Sequence, residues 1–295
     1  MMADCILILG RRGQLARAVA QHAKAANLSA LCLGREELDL TMDGVATRLK
    51  DVSPWAVINT SAFTAVDAAE SSPHEAEALN GTAPGRLARV CADLDIPLVH
   101  VSTDYVFDGK KGLPYVEADG PAPLNMYGRS KLSGEKAVHS VGGRSTIFRT
   151  SALLSAAGAN FFTTLLRLAR TRDRISVVND QVTCPTLADD LAEALVSAAS
   201  RLREGGAVRS LYHFAGQTAV SWDRLATEIF ECSRRRGGPI AVVTPISSAE
   251  YGAPATRPAD SRLDSSLAQE DFGLAGRPWE AGLERLFQQY WKGES

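Results

Sequence analysis

Short apolar runs alternate with stretches of helical length over the first half of the chain, and this alternation predicts the fold. Cys5 to Leu9 reads as a strand, Gln14 to Ala26 as an amphipathic helix, Ser29 to Leu33 as a second strand and Met42 to Asp51 as a second helix. Strands follow at Ala56 to Asn59, Leu98 to Ser102 and Ser145 to Arg149, with helices at about Ser72 to Leu94 and Tyr127 to Val141 between them. A strand reaches a parallel partner only by a crossover over one face of the sheet, so strands separated by helices imply an α/β fold with a doubly wound parallel sheet. That sheet is expected within residues 1–150. Beyond residue 150 the pattern loosens into a helix at Phe161 to Thr171, a strand at Ile175 to Val178, a helix at Leu187 to Arg203 and a strand at Leu211 to Phe214. A helix at Ser221 to Arg235, loops rich in proline and alanine and a last helix at Trp279 to Trp291 complete the chain. Part of 175–205 is expected to complete the sheet, with 151–295 otherwise forming a smaller α/β domain.

Composition narrows the class of partner. The 295 residues, 45% hydrophobic and 22% charged, suit one large domain or two intimately packed ones. A net charge of -2 gives no general attraction to nucleic acid, and the basic run Arg234 to Arg236 before Gly237 reads as a solvated helix end. The five cysteines are scattered, without the spacing of a zinc or disulfide framework. The start, MMADCILILG, lacks the charged and long apolar regions of a secretory signal, and no stretch is long enough to span a membrane. The expected compartment is the cytoplasm, with neither nucleic acid nor membrane as partner.

Candidate chemistry begins where the first strand meets the first helix. In LILGRRGQLARAVA, Gly10 and Gly13 lie where backbone N–H groups and the helix dipole can receive a pyrophosphate, and Ala16 meets the need for a small residue at the packing site. Arg11 and Arg12 in the loop and Arg35 after the second strand favour the 2′-phosphate of NADP(H), while Glu36 and Glu37 leave NAD(H) open. Ser102, Thr103 and Asp104 end a later strand, at the sheet edge where open α/β folds bind ligands. Tyr127 and Lys131 stand four residues apart, so a helix stacks phenol and ammonium on one face. Such spacing arises by chance in roughly one chain in seven; if functional, the ammonium is expected to lower the phenol pKa towards neutrality. His100, inside an apolar strand, reads as a core histidine, and Trp222, Trp279 and Trp291 as core or subunit-contact residues.

These residues stand in a wider set of motifs: INTSAFTAVDAAE at 58–70, STDYVFDG at 102–109, NMYGRSKLSGE at 125–135, FRTS at 148–151, VVNDQVTCPT at 177–186 and RPADSRL at 257–263. With them the chain resembles the dTDP-4-dehydrorhamnose reductase family of the extended short-chain dehydrogenase/reductase superfamily, over nearly its whole length. The resemblance implies a Rossmann-type sheet binding NADPH, a C-terminal nucleotide-sugar domain, and reduction of the 4-keto group of dTDP-6-deoxy-L-lyxo-4-hexulose to dTDP-L-rhamnose. It implies that Tyr127 donates a proton to the C4 oxygen, Lys131 orients the nicotinamide ribose and Thr103 holds the reacting oxygen. Gly10, Arg11, Arg12, Gly13, Gln14 and Leu15 would contact the cofactor together with Arg35, Asp39, Leu40, Ser61, Ala62, Thr64, Tyr127 and Lys131. On the sugar side it implies Val66, Asp67, Thr103, Asp104, Tyr105, Ala152 and Arg257, the last facing the diphosphate, and it places Asn80 on a helix facing the sheet.

The chain departs from the family pattern at three places. Ala152 stands where the family commonly has a tryptophan near the sugar. Val182, Thr183 and Cys184 precede Pro185 where an aromatic or glycine and then a small residue are more usual. Some relatives bind magnesium between subunits, and the position matching one ligand is Ala18; Asp189 and Glu280 remain, and no metal is expected. A reductase of a different dTDP-linked 4-keto-6-deoxy-hexose, and a non-catalytic NADP-binding subunit resembling the regulatory subunit of methionine adenosyltransferase, stay open as alternatives, as does a homodimer.

Overall fold

The computed structural model describes residues 4–294, with side chains to Trp291; residues 1–3 of the N-terminal stretch read above, and Ser295, lie outside the described residues. The first half runs β1 (Cys5–Leu9), α1 (Gln14–Ala25), β2 (Ser29–Leu33), α2 (Val45–Val52), β3 (Ala56–Asn59), α3 (Val66–Ser71), α4 (Pro73–Glu77), a π turn at Ala78–Thr82, α5 (Ala83–Asp93), β4 (Leu98–Thr103), α6 (Met126–Val141) and β5 (Ser145–Thr150). After it come β6 (Leu153–Leu154), α7 (Phe161–Leu168), β7 (Arg174–Val178), β8 (Val182–Thr183), β9 (Thr186–Leu187), α8 (Ala188–Arg203) and β10 (Leu211–His213). The chain continues through β11 (Val220–Ser221), α9 (Trp222–Arg234), β12 (Val242–Ile246), α10 (Ser248–Tyr251), α11 (Ser266–Phe272) and α12 (Trp279–Glu294).

Six strands form one parallel sheet in the order β10-β5-β4-β3-β1-β2. The chain goes from β1 to β2 on one side and then returns to place β3 on the other side of β1. Helices therefore diverge above the β1 and β3 ends and leave a crevice there. Side chains of β1 alternate between the two faces as the pleat requires: Ile6 and Ile8 enter the core under α1 and α8, Leu7 and Leu9 the core under α2 and α5. Both faces are covered, which is why CILIL reads as an unbroken apolar run. A third core joins α7, α9 and α12 through Phe162, Ile229 and Phe287. Trp279 is buried there and Trp291 stacks on Phe287.

The structure corrects three sequence expectations. The helix expected at Ser72 to Leu94 is α4, a π turn and α5, with Pro73 and Pro84 in the first turns of the two helices. A proline there has no N–H to waste and a fixed φ that suits the start of a helix. The strand expected at Ile175 to Val178 pairs with β12 and stays outside the central sheet, so what 175–205 adds to that layer is α8, while the edge strand is β10. Strand β12 and helix α11 occupy stretches expected to be loops. Trp222, half-buried, packs against the third core as expected, edge to face on Phe161 at 4.6 Å between centroids.

Helix α6 lies unusually close to the π turn, since a Cβ on Gly134 would stand 2.0 Å from the Asn80 carbonyl oxygen. Gly134→Ala must therefore push the helix away from backbone that cannot yield. We expect it to lower stability by about 1–3 kcal/mol, the usual cost of overpacking, seen as a lower urea midpoint at unchanged slope.

Candidate active site

The crevice at the β1 and β3 ends holds a cavity of about 290 Å³ lined by Gly10, Arg11, Arg12, Gly13, Arg35, Glu36, Asp39, Leu40, Ser61, Ala62 and Thr64. Gly10 makes the turn at φ +106, a conformation L side chains avoid, and a Cβ there would also meet Thr60 Oγ1 at 2.9 Å. Helix α1 starts at Gly13 with no side-chain cap and no acidic residue in its first turn. Its first N–H groups and the positive end of its dipole thus face the crevice ready for an anion. Each arginine has a carboxylate partner: Arg11 pairs with Glu37, Arg12 with Glu36 at 2.5 Å and Arg35 with Asp39 at 2.8 Å. Ion pairs this open to solvent are worth at most about 1 kcal/mol each, so a phosphate can displace them. Hydrogen bonds from Thr41, and then Arg35, hold the Asp39 carboxyl below the usual carboxylate range.

A second cavity, about 520 Å³, shares Arg12, Gly13, Ala62 and Thr64 with the first and brings together Gln14, Leu15, Thr103, Asp104, Tyr127, Lys131 and Ala152. Asn125 caps α6 by accepting the Gly128 N–H at 2.8 Å, and one turn apart along the helix Tyr127 and Lys131 point to the β4 end. Lys131 is 2% exposed, and its ammonium donates to the Val101 carbonyl at 2.6 Å. Burial lowers the Lys131 pKa to about 8, against the opposing pull of Glu135 one turn further on. Burial raises the Tyr127 pKa to about 12, against a hydrogen bond to Thr103 and with a small push from Asp104. The expectation that Lys131 brings the phenol towards neutrality is not met: loss of hydration is the largest influence on the phenol and pushes its pKa up. Tyr127 is held as an acid.

The surrounding polar groups fix this geometry. Asn80, in the π turn, accepts the Phe63 N–H at 2.7 Å and donates to the Phe63 carbonyl and Ser130 Oγ, clamping the 61–64 loop to α6. Asn59 donates towards His100 Nδ1 at 3.1 Å and accepts the Ser61 N–H. His100 is fully buried and kept neutral, first by burial and then by Lys131. Beneath the cavity floor, Glu135 takes Arg149 at 2.7 and 2.9 Å and the Ser102 hydroxyl at 2.5 Å. The sequence reading gave Glu135 no role, although its place four residues after Lys131 puts it on the same helix face. It also missed Ser261, hydrogen-bonded to Asp104, and the Phe161–Trp222 pair that lines the far wall.

Four of the expected sugar-side residues lie outside both cavity linings: Val66, Asp67, Tyr105 and Arg257. Arg257 grips Asp67 through two N–H groups, at 2.9 and 3.0 Å, and hydrogen-bonds Tyr105; Tyr105 packs edge-on against Tyr127 at 6.0 Å. Among the described residues no group of three or more His, Cys, Asp or Glu is placed to hold a metal ion. Among the described residues no helix is long and apolar enough to cross a membrane.

This arrangement has close counterparts. The family model for the RmlD substrate binding domain matches residues 3–292. The chain belongs to this family. A family relative from Sinorhizobium fredii, a dTDP-4-dehydrorhamnose reductase, is 41% identical, covering 95% of this chain and 96% of its own. The Escherichia coli K12 enzyme of the same name is 35% identical over 96% of this chain and 97% of its own. The crystal structure of a dTDP-4-dehydrorhamnose reductase from Bacillus anthracis in complex with NADP superposes with a TM-score of 0.90 at 31% identity, covering 97% of this chain and 99% of that one. For this family member, Gly10→Ala forces a side chain into the crevice at a φ that resists it. We expect dinucleotide affinity, followed by quenching of intrinsic fluorescence, to fall at least about tenfold, the equivalent of ~1.4 kcal/mol.

Proposed function

We propose that the protein reduces the 4-keto group of dTDP-4-dehydrorhamnose (dTDP-6-deoxy-L-lyxo-4-hexulose) to dTDP-L-rhamnose with NADPH. The observation that carries this reading is the meeting of Thr103, Tyr127 and Lys131 in one cavity beside the Gly10–Gly13 loop, in a chain related along its length to reductases of that name. The residues present fit the cofactor. Gln14 Oε1 and Thr150 Oγ1 are buried in the cavity lining without a partner, and a glycine cradle and an uncapped helix start adjoin them. Gly10, Gly13, Gln14 and Leu15 would hold the pyrophosphate, Arg11, Arg12 and Arg35 the 2′-phosphate, Ser61, Ala62 and Thr64 the ribose side, and Lys131 the nicotinamide ribose. Asp39 and Leu40 would flank the adenosine end. When bound, the cofactor supplies a hydride to the carbonyl carbon.

The chain supplies the rest. Thr103 donates to the carbonyl oxygen, and Tyr127 gives that oxygen its proton as negative charge builds there. A phenol whose pKa is about 12 is fully protonated at neutral pH, which suits reduction. Val66, Asp67, Asp104, Tyr105, Ala152 and Arg257 form the sugar-nucleotide side in this reading. Residues 1–150 with α8 and β10 make the cofactor half, and most of 151–295 the sugar half.

Enzymatically generated dTDP-4-dehydrorhamnose, supplied with NADPH or NADH, tests the assignment through absorbance of the reduced cofactor and identification of the sugar. We expect one NADP⁺ per dTDP-L-rhamnose; no turnover with either cofactor, or a different sugar, would overturn it. Tyr127→Phe should lower kcat by about 10²–10⁴, the range of general acid catalysis, and change the NADPH Kd far less. Arg35→Ala should weaken NADPH about tenfold, as expected from one charge-assisted hydrogen bond of ~1.5 kcal/mol, and hardly touch NADH.

A further inference from the structure

We propose that Trp222, braced by Phe161, is the specificity-determining wall of the sugar site, with the apolar face of the keto-sugar ring lying against its indole. The inference rests on the function proposed above and adds to it the side chains that recognise the ring itself. Space for the ring follows from how the two cavities join. The first opens into the second at Arg12, Gly13, Ala62 and Thr64, and Thr103, Tyr127 and Lys131 line the second alone. The second cavity is completed from the C-terminal half by residues 151–153, the 158–161 stretch and Trp222. A sugar whose carbonyl is held at Thr103 and Tyr127 has this wall as its other boundary.

Of the side chains lining that cavity, the aromatic ones are Tyr127, Phe161 and Trp222. Tyr127 serves the reacting oxygen, and Ala152 offers the cavity a single methyl group. Trp222 is half-buried, so part of its ring is seated and part is open to the cavity. The seat is firm. Trp222 is the first residue of α9 and directly follows Val220 and Ser221 of β11, which pair with Thr183 and Val182 of β8. Its ring packs on the third core and meets the Phe161 ring at 4.6 Å and 63°. Phe161 is in turn the first residue of α7, whose start is fixed by the capping box of Asn160 and Thr163. Asn160 lines the cavity too, but its side chain accepts the Thr163 N–H at 3.2 Å and donates to the Ser155 carbonyl at 2.9 Å.

Such a wall selects by polarity and shape. A hexose ring carries C–H groups on its faces and hydroxyls on its rim, and a 6-deoxy sugar adds a methyl group. C–H groups laid on an indole bury apolar area with no hydrogen bond to lose, whereas a rim hydroxyl turned into the wall loses its water without finding a partner. The ring is thus held at two points, by its carbonyl at Thr103 and Tyr127 and by its apolar face at Trp222.

Calorimetry with dTDP-L-rhamnose and with dTDP isolates the contribution of the sugar, because the nucleotide is common to both. Trp222→Ala should raise the dTDP-L-rhamnose Kd about tenfold, the scale of a buried aromatic contact, and leave the Kd values of dTDP and NADPH unchanged. The KM for the keto-sugar should rise by about the same factor, with kcat changed less. Trp222→Leu keeps apolar volume in the seat, should match the wild type in its circular dichroism, and carries the same expectation. Trp222→Phe restores a ring and should recover most of the lost affinity. An unchanged dTDP-L-rhamnose Kd in Trp222→Leu, a loss shared equally by dTDP, or a loss of NADPH affinity in the folded Trp222→Leu protein would overturn the assignment. A wild type that binds neither dTDP-L-rhamnose nor dTDP and oxidises no NADPH overturns the functional reading itself.

Discussion

The site depends on helix α6 carrying ionisable groups out of water beneath the ends of β4 and β5. Lys131, Glu135 and Arg149 are each at most 5% exposed. Removing an ion from water costs several kcal/mol even after relaxation, so such a trio persists only if its charges and lone pairs are met. Glu135 meets both: its two oxygens take the Arg149 guanidinium and the Ser102 hydroxyl, and its charge favours the Lys131 cation. Arg149 also lies over the Phe107 ring at 5.0 Å. The network ties α6 to β4 and β5 at once, and this fixes where Tyr127 stands relative to Thr103.

Loss of hydration then sets the chemistry. The same burial that lowers the lysine pKa raises those of Tyr127 and Asp104, because in each case it disfavours the charged form. The three shifts share one origin, and their joint effect is a pocket in which the Tyr127 phenol stays protonated at neutral pH, with the Thr103 hydroxyl and Lys131 lining the same cavity. A phenol lowered towards neutrality would serve either direction of a carbonyl–alcohol exchange. One held near 12 serves reduction.

Much of this was legible in the sequence, and the exceptions share a cause. Central parallel strands are buried on both faces, so CILIL, AVIN and LVHVST announce themselves as apolar runs. Strand β12, VVTPI, does not: it pairs only with β7, and an edge strand tolerates Pro245, which reads as a loop in sequence. The glycine loop and the Tyr127–Lys131 face followed from local periodicity, which is short-range information. The pKa of Tyr127, the Asp67–Arg257 pair, 190 residues apart, and the Asp104–Ser261 bond are products of long-range packing. Spacing says which groups share a face; it does not say how much water reaches them.

Ala152 shows how packing shapes the sugar side. It has φ +39, a left-handed conformation that costs an alanine about 1 kcal/mol. The bend lies where the chain leaves β5 for the short pair β6–β9, and the Ala152 carbonyl accepts the Thr186 N–H at 3.1 Å to hold it. A small side chain here leaves the cavity wall to other elements. Phe161 at the start of α7 and Trp222 at the start of α9 supply aromatic surface from the third core, set edge to face and lining the same cavity. The aromatic contact that the family pattern places after FRTS is absent from that position, and apolar wall comes instead from helices fixed by Phe162, Ile229 and Phe287. Pocket shape is therefore governed by the packing of the C-terminal helices, while the chemistry is governed by α6.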